Sequence, residues 1–255
     1  MTRSGATVFR RNLPWTGYFE RLAWQQAPRP WKTRLRWLAG GLAAVVLANL
    51  LVVLLLRWVN VPLSAFMLWH KLDGRQPVYE WVDWSRISPA MPIAVVAAED
   101  QRFLSHHGFD FKAIAEALEE NKYRRRPRGA STLSQQVARN LFLWHGGGWL
   151  RKGLEAVLTV AIETCWPKKR ILEVYLNIAQ FGPHIFGVDA ASQAYFGIAP
   201  ADLDTTQAAL LAAVLPGPGR YRIDPPSPYV QQRAAEIDQQ VRMLGGPAFQ
   251  AALNE

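Results

Sequence analysis

The chain has 255 residues, half of them hydrophobic, with eleven Trp, eleven Phe and only 19% charged residues, which excludes a wholly disordered protein and leaves room for one domain of roughly 100–200 residues plus accessory sequence. The formal charge of +9 is unevenly placed: residues 1–36 hold eight of the 29 Lys and Arg but only one of the 20 acids, so the remainder is close to balanced and lacks the basic footprint of a nucleic-acid binder. A single cysteine, Cys165, excludes an internal disulfide and any metal site built on several thiolates; within VLTVAIETCW it reads as a buried, inert thiol.

Residues 1–36 form a basic tail, and residues 37–58 read as one transmembrane helix. From Leu38 to Leu56 the only clearly polar side chain is Asn49, and nineteen helical residues span about 28 Å, close to the hydrocarbon core of a bilayer. Trp37 and Trp58 stand where interfacial rings belong. Arg29, Lys32, Arg34 and Arg36 precede the span and only Arg57 closely follows it, which places the N-terminus in the cytoplasm and residues 60–255 outside. A cleaved signal peptide has an apolar run of only about 7–15 residues, and a buried core helix is the soluble alternative.

Residues 59–90 are a membrane-proximal segment. VPLSAFMLWH, residues 61–70, is too short to cross again and is either a first helix packed on the domain or an amphipathic piece at the lipid surface. Residues 71–90, rich in turn formers and aromatics, read as extended chain with one short strand. From residue 91 to 255 the periodicity is helical, with helices expected at 91–101, 110–121, 132–143, 150–166, 168–180, 187–196, 205–215 and 228–244. Asp110 is placed to cap a helix whose Phe111, Ile114, Ala115 and Leu118 share an apolar face, and Thr132 with Gln135 and Asp204 with Gln207 have capping-box spacing.

Four stretches carry chemistry. Glu99 and Asp100 end the apolar run Ile93–Ala98, and a carboxylate at the edge of an apolar helix is how a general base acquires a raised pKa. The segment Arg128-Gly129-Ala130-Ser131-Thr132-Leu133-Ser134-Gln135-Gln136, followed by Arg139, puts hydroxyls, amides and a cation around a helix start suited to phosphate or sugar oxygens. Arg151, Lys152 and Glu155 share a helical face. Glu173, Asn177 and Gln180 interrupt an otherwise apolar helix. Each has a plainer reading as a helix end, a cap, a salt bridge or a buried hydrogen-bond network.

In this order and spacing, Glu99-Asp100, Phe103, His106 and Gly108, then Gly129 to Gln136, Arg151-Lys152 with Glu155, and the Lys168–Gly182 helix resemble the motifs of the glycosyltransferase domain of class A penicillin-binding proteins. GVDAASQAYFG, residues 187–197, resembles a fifth. No SxxK, SxN and KTG set of an acyl-serine transpeptidase follows, so the chain looks like the monofunctional biosynthetic peptidoglycan transglycosylases. The resemblance implies a mostly α, lysozyme-like helical domain with a smaller membrane-facing lobe, preceded by one transmembrane helix, in the inner membrane of a Gram-negative bacterium and with its catalytic domain in the periplasm. It also implies polymerisation of lipid II onto a lipid-linked nascent glycan through β-1,4 bonds, with inversion and release of undecaprenyl diphosphate.

By the same resemblance Glu99 is the general base and Glu155 the second carboxylate, more apt to orient a cation than to give up a proton. Arg139, Arg151 and Lys152 hold the diphosphate. Ser131, Thr132, Gln135 and Gln136 bind sugar or phosphate oxygens, while Asp100, Phe103, His106, Gly108 and Asn177 support the cleft. Mg²⁺ or Mn²⁺ is implied as a helper at the diphosphate, with no dedicated metal site, and the partners implied are membrane lipid and the division or elongation machinery. One departure stands out: where the family commonly has a basic residue four positions before the Arg-Lys pair, this chain has Gly147. Two other readings are open, a lysozyme-like hydrolase or lytic transglycosylase of finished glycan and a non-catalytic cell-wall scaffold.

Overall fold

The computed structural model describes residues 31–124 and 128–253. Most of the basic tail, and Arg125 and Arg126 of the basic run, lie outside the described residues. The chain divides into two units, residues 1–50 and 51–255. The first contains most of helix α1, Trp31–Leu55, which is long and apolar enough to cross a membrane. Asn49 hides its polarity by donating its amide to the Val45 carbonyl at 2.8 Å.

In the second unit the helices follow the expected pattern closely. They are α2 Ala65–Leu72, α3 Ala90–Glu99, α4 Phe111–Asn121, α5 Leu133–Phe142, α6 Trp149–Cys165, α7 Lys168–Ile178, α8 Val188–Phe196, α9 Thr205–Val214, α10 Pro228–Met243 and α11 Pro247–Ala252. The starts have the predicted chemistry. Asp110 accepts from the Ala113 amide at 2.9 Å, and both capping boxes, Thr132 with Gln135 and Asp204 with Gln207, are formed.

Two packed groups make the core. α3 and α9 are built almost wholly from small and aliphatic residues, and both are buried around most of their circumference. They pack on each other and on α10. α5 packs on α2, α6 and α7, and α7 buries Ile171, Leu172, Val174, Tyr175 and Leu176. Asn177, fully buried, accepts from the Val82 amide and donates to the Val82 carbonyl, tying α7 to the membrane-proximal segment. Beside it a two-residue parallel pair joins β1, Val78–Tyr79, to β2, Ile185–Phe186. Gly187, at φ +82°, follows β2 because a Cβ there would lie 2.6 Å from the Asn177 carbonyl oxygen.

Within the second unit, side chains of α7 and of Trp166, which follows α6, hold the stretch from Val53 to Val59. Arg170 donates to the carbonyls of Leu56 and Val59, and the Trp166 indole to that of Val53 at 2.7 Å. The carbonyl of Val53 is one that a helix end leaves without a partner of its own.

Three readings are refined by the structure. The apolar face of α4 is largely exposed, with Phe111 and Leu118 at 75% and 65%; Ala117 is the buried position. Cys165 is half-buried rather than buried. In α2 both readings hold in part: Met67 and His70 are buried, whereas Leu68, Trp69 and Leu72 are exposed. The reading of residues 71–90 foresaw the short strand but not its parallel partner, and α11 was not foreseen.

Candidate active site

A cleft of about 1060 Å³ opens between the two helical groups. Glu99 and Asp100 at the end of α3 form its floor. The segment Arg128–Thr132 with Gln136 and Arg139 of α5 forms one wall, and α10, through Tyr229, Gln232 and Arg233, forms the other. On α5, Gln136 and Arg139 are one turn apart and half-exposed to the cleft, while Val137, Ala138 and Asn140 are buried.

Glu99 keeps an edge in the cleft. Its Oε2 accepts a hydrogen bond from Gln136 Nε2 at 2.8 Å, and Gln136 Oε1 in turn lies 3.3 Å from the hydroxyl of buried Tyr175. Loss of water around the carboxylate raises its pKa above the usual value. The Gln136 hydrogen bond and the charges of Arg233 and Arg139 pull against that rise, and Asp100 adds to it.

Asp100 is turned away from Glu99's task. Its carboxylate accepts from His106 Nε2 at 2.9 Å and from the Leu133 amide, at the start of α5, at 3.0 Å. His106 Nδ1 accepts from the Gly108 amide, which leaves Nε2 as the nitrogen that donates to Asp100. Gly108 has φ +88°, and a Cβ there would meet Thr159 at 2.7 Å. Its carbonyl accepts from the Thr132 hydroxyl at 2.7 Å. Phe103 is fully buried, with the Lys168 ammonium 4.5 Å from its ring centroid; the same ammonium donates to the His106 carbonyl and pairs with Glu163. The segment Glu99–Gly108 is therefore braced by α5, α6 and α7.

The second cluster lies on the first turns of α6. Glu155 is completely buried, and its two oxygens meet Arg151 at 2.9 Å and the Lys152 ammonium in a short contact. Lys152 reaches on to the Ser131 hydroxyl at 3.3 Å, and Ser131 lines the cleft. Glu155 thus aims two cations and has no free oxygen to offer a substrate.

The structure gathers Glu99, Asp100, Ser131, Thr132, Gln136 and Arg139 around the cleft and sets Lys152 against it through Ser131. Gln135 is not brought to it: its side chain is buried and accepts from the Thr132 amide in the capping box. Phe103, His106, Gly108, Glu155 and Asn177 stand behind the surface. The sequence reading missed Arg233, Tyr175, Glu163 and Lys168. Only the interrupted polarity of the 168–180 helix hinted at such a network, and nothing local marked Arg233.

Among the described residues no three His, Cys, Asp or Glu side chains are grouped to hold a metal. The carboxylates nearest the cationic cluster are committed, Glu155 to Arg151 and Lys152 and Asp100 to His106 and Leu133. Neither Glu155 nor Asp100 therefore offers a divalent ion an uncommitted carboxylate.

The model of the Transglycosylase family matches residues 67–242. A biosynthetic peptidoglycan transglycosylase of Xanthomonas euvesicatoria pv. vesicatoria is 48% identical over 238 residues, covering 89% of this chain and 96% of that one. A protein of the same name from Pasteurella multocida is 49% identical over 222 residues, covering 84% and 90%. One from Shewanella oneidensis is 47% identical over 213, covering 82% and 91%.

Proposed function

The chain belongs to the transglycosylase family and is a peptidoglycan glycosyltransferase, and from that premise we propose that it joins lipid II to a lipid-linked glycan strand with Glu99 as general base. The observation that carries this reading is the shared cleft. A desolvated carboxylate lies on its floor, and Arg139, with Lys152 behind Ser131, lies along one wall.

In the reaction the acceptor's C4 hydroxyl, whose pKa is far above 7, attacks the donor's anomeric carbon. Glu99 takes the hydroxyl proton as the C4 oxygen–C1 bond forms. The bond from C1 to the diphosphate oxygen breaks on the opposite face, which inverts the anomeric centre and releases undecaprenyl diphosphate. A diphosphate leaves readily once its developing charge is met, so the leaving side needs cations more than an acid. Arg139, Lys152 and Arg151 answer that need, with Glu155 holding the last two in place. Gln136 holds the Glu99 carboxylate toward the cleft through its amide while Tyr175 faces the other end of that amide.

Both substrates keep a polyprenyl tail in the bilayer, so attachment to the same membrane confines enzyme and lipid to one surface. α1 supplies the anchor. The exposed side of α6 supports the same reading, since Trp149, Leu150, Leu154, Val157 and Val160 are all apolar there. We read the anchor as crossing the inner membrane, with residues 60–255 in the periplasm, and division or elongation proteins as its partners.

Incubation of the detergent-solubilised protein with lipid II tests this. Glycan polymer is expected, with a loss of about 10²–10⁴-fold in rate for Glu99→Gln. Cleavage of mature sacculus without polymer would establish a hydrolase instead, and unchanged activity of Glu99→Gln in cells would leave only a scaffold.

A further inference from the structure

Arg233 belongs to none of the motifs that mark this cleft, yet it touches the backbone that carries Glu99. It projects from α10, on the wall opposite Ser131 and Arg139. Its Nη2 donates to the Ala98 carbonyl at 3.1 Å, one residue before Glu99, and its Nη1 pairs with Glu236 at 3.0 Å. The Ala98 carbonyl is among the last four of α3, which have no acceptor role inside the helix. A cation there both satisfies the carbonyl and suits the negative end of the helix.

The charges around Glu99 come from every neighbouring element. α5 offers Arg139, α7 the neutral hydroxyl of Tyr175, α10 Arg233 with Glu236, and α3 itself the adjoining Asp100. α4 and the chain after it add Glu116, Arg124 and Arg128 to the cleft. Two of these, Arg233 and Arg139, act on the Glu99 carboxylate as cations and oppose its desolvation. They differ in what substrate does to them. Arg139 lies on the wall with Ser131 and Lys152, and a bound diphosphate neutralises it. Arg233 stands across the cleft, clamped between a backbone carbonyl and Glu236.

We propose that Arg233 is a positioning residue for the proton transfer: it clamps the end of α3 that carries Glu99 and keeps a positive charge on the cleft wall after the diphosphate has occupied Arg139. The proposal rests on Glu99 being the base. It goes beyond that reading by assigning the two cations to different stages, Arg139 to the free enzyme and Arg233 to the loaded one.

Full pH profiles of the full-length enzyme with lipid II separate the stages, because kcat/KM reports ionisations of the free enzyme and kcat those of the complex. In Arg233→Gln the acid limb of kcat is expected to move to higher pH. A displacement of one pH unit is about a tenfold loss on that limb, with less than about a threefold loss on the alkaline plateau. The limb of kcat/KM should move less. Arg233→Lys, which keeps the charge, should return the limb toward its wild-type position. Recovery at high pH also shows that the Gln variant is folded.

A Gln variant whose kcat falls by one factor at every pH, or whose limb stays put, overturns the proposal and leaves the base reading intact. A wild-type enzyme with no acid limb, or a Glu99→Gln variant that still polymerises at the wild-type rate, overturns both.

Discussion

Replacing Glu155 by Gln tests whether the second carboxylate acts through the cations it holds. Glu155 has no exposed surface, Arg151 is 12% exposed along its side chain and Lys152 44%. Removing the negative charge leaves Arg151 buried without a counterion, and its Nε already has no partner among the described residues. Breaking a buried pair by removing one member costs about 3–5 kcal/mol. Lys152 is free to turn toward water, so the lower figure, about 3 kcal/mol, applies, with a fall in melting temperature of roughly 6–12 °C for a domain of this size. The assay is thermal unfolding in detergent beside initial rates with lipid II. Arg151 and Lys152 lose their alignment together, so KM should rise and kcat fall by the same factors at all pH values. A variant that melts within about 2 °C of wild type yet loses about a thousandfold in kcat would refute this reasoning, because the carboxylate would then be taking part in the chemistry.

Glu99→Gln should melt above wild type at pH 8. The folded protein raises the Glu99 pKa above the ordinary value of 4.5, so it binds that proton more tightly than the unfolded chain and loses stability as pH rises through the folded pKa. Below the unfolded value both states are protonated, so the gap between variant and wild type should close as pH falls toward and past 4.5; a gap that is constant with pH would contradict it. Asp100→Ala removes the acceptor of the His106 ring and the Leu133 amide and should destabilise by about 2–5 kcal/mol, read by denaturant unfolding; a loss below about 1 kcal/mol would mean that Asp100 does not brace the loop. Arg139→Ala should raise KM for lipid II by about tenfold or more, and activity equal to wild type would remove it from the diphosphate site. Gly147→Arg places a charge where a Cβ meets nothing within 4 Å and φ is not positive. It should leave stability within about 0.5 kcal/mol and lower KM; an unchanged KM would show that no cation is missing there.

Helix starts were legible because their signals are local. Asp110, Thr132 with Gln135 and Asp204 with Gln207 each satisfy amide groups three residues away, and that spacing is visible in any sequence. The apolar stripe of α4 misled for the converse reason: periodicity shows which residues share a face but not what lies opposite, and Phe111 and Leu118 face outward. Gln135 was misassigned by a related ambiguity. A Thr-x-x-Gln pair followed by a second Gln permits either amide to cap, and here Gln135 caps while Gln136 reaches Glu99. The parallel pairing of Val78 with Ile185 and the contact of Arg233 with Ala98 join residues more than a hundred positions apart. Two-residue strands and a lone Arg on a polar helix give no local sign of such contacts.

On the proposed mechanism the cleft meets two opposed electrostatic demands within one cavity. A base able to pull a proton from a sugar hydroxyl gains from lost solvent, whereas a leaving diphosphate needs dense positive charge. Concentrated cations beside Glu99 would settle the carboxylate so firmly that it became a weak base. The fold divides the two demands among elements. A neutral amide, Gln136, is the direct partner of Glu99, and the densest cationic pair is drawn onto buried Glu155 on α6, reaching the cleft through Ser131. Arg139 lies on the same α5 face as Gln136, one turn away, so a single helix sets the separation between the amide that holds Glu99 and the cation proposed to receive the diphosphate. Inserting or deleting one residue between Gln136 and Arg139 would rotate the two by about 100° relative to each other, so that no more than one of them could still face the cleft, and on the proposed reading either the hold on Glu99 or the diphosphate contact would be lost.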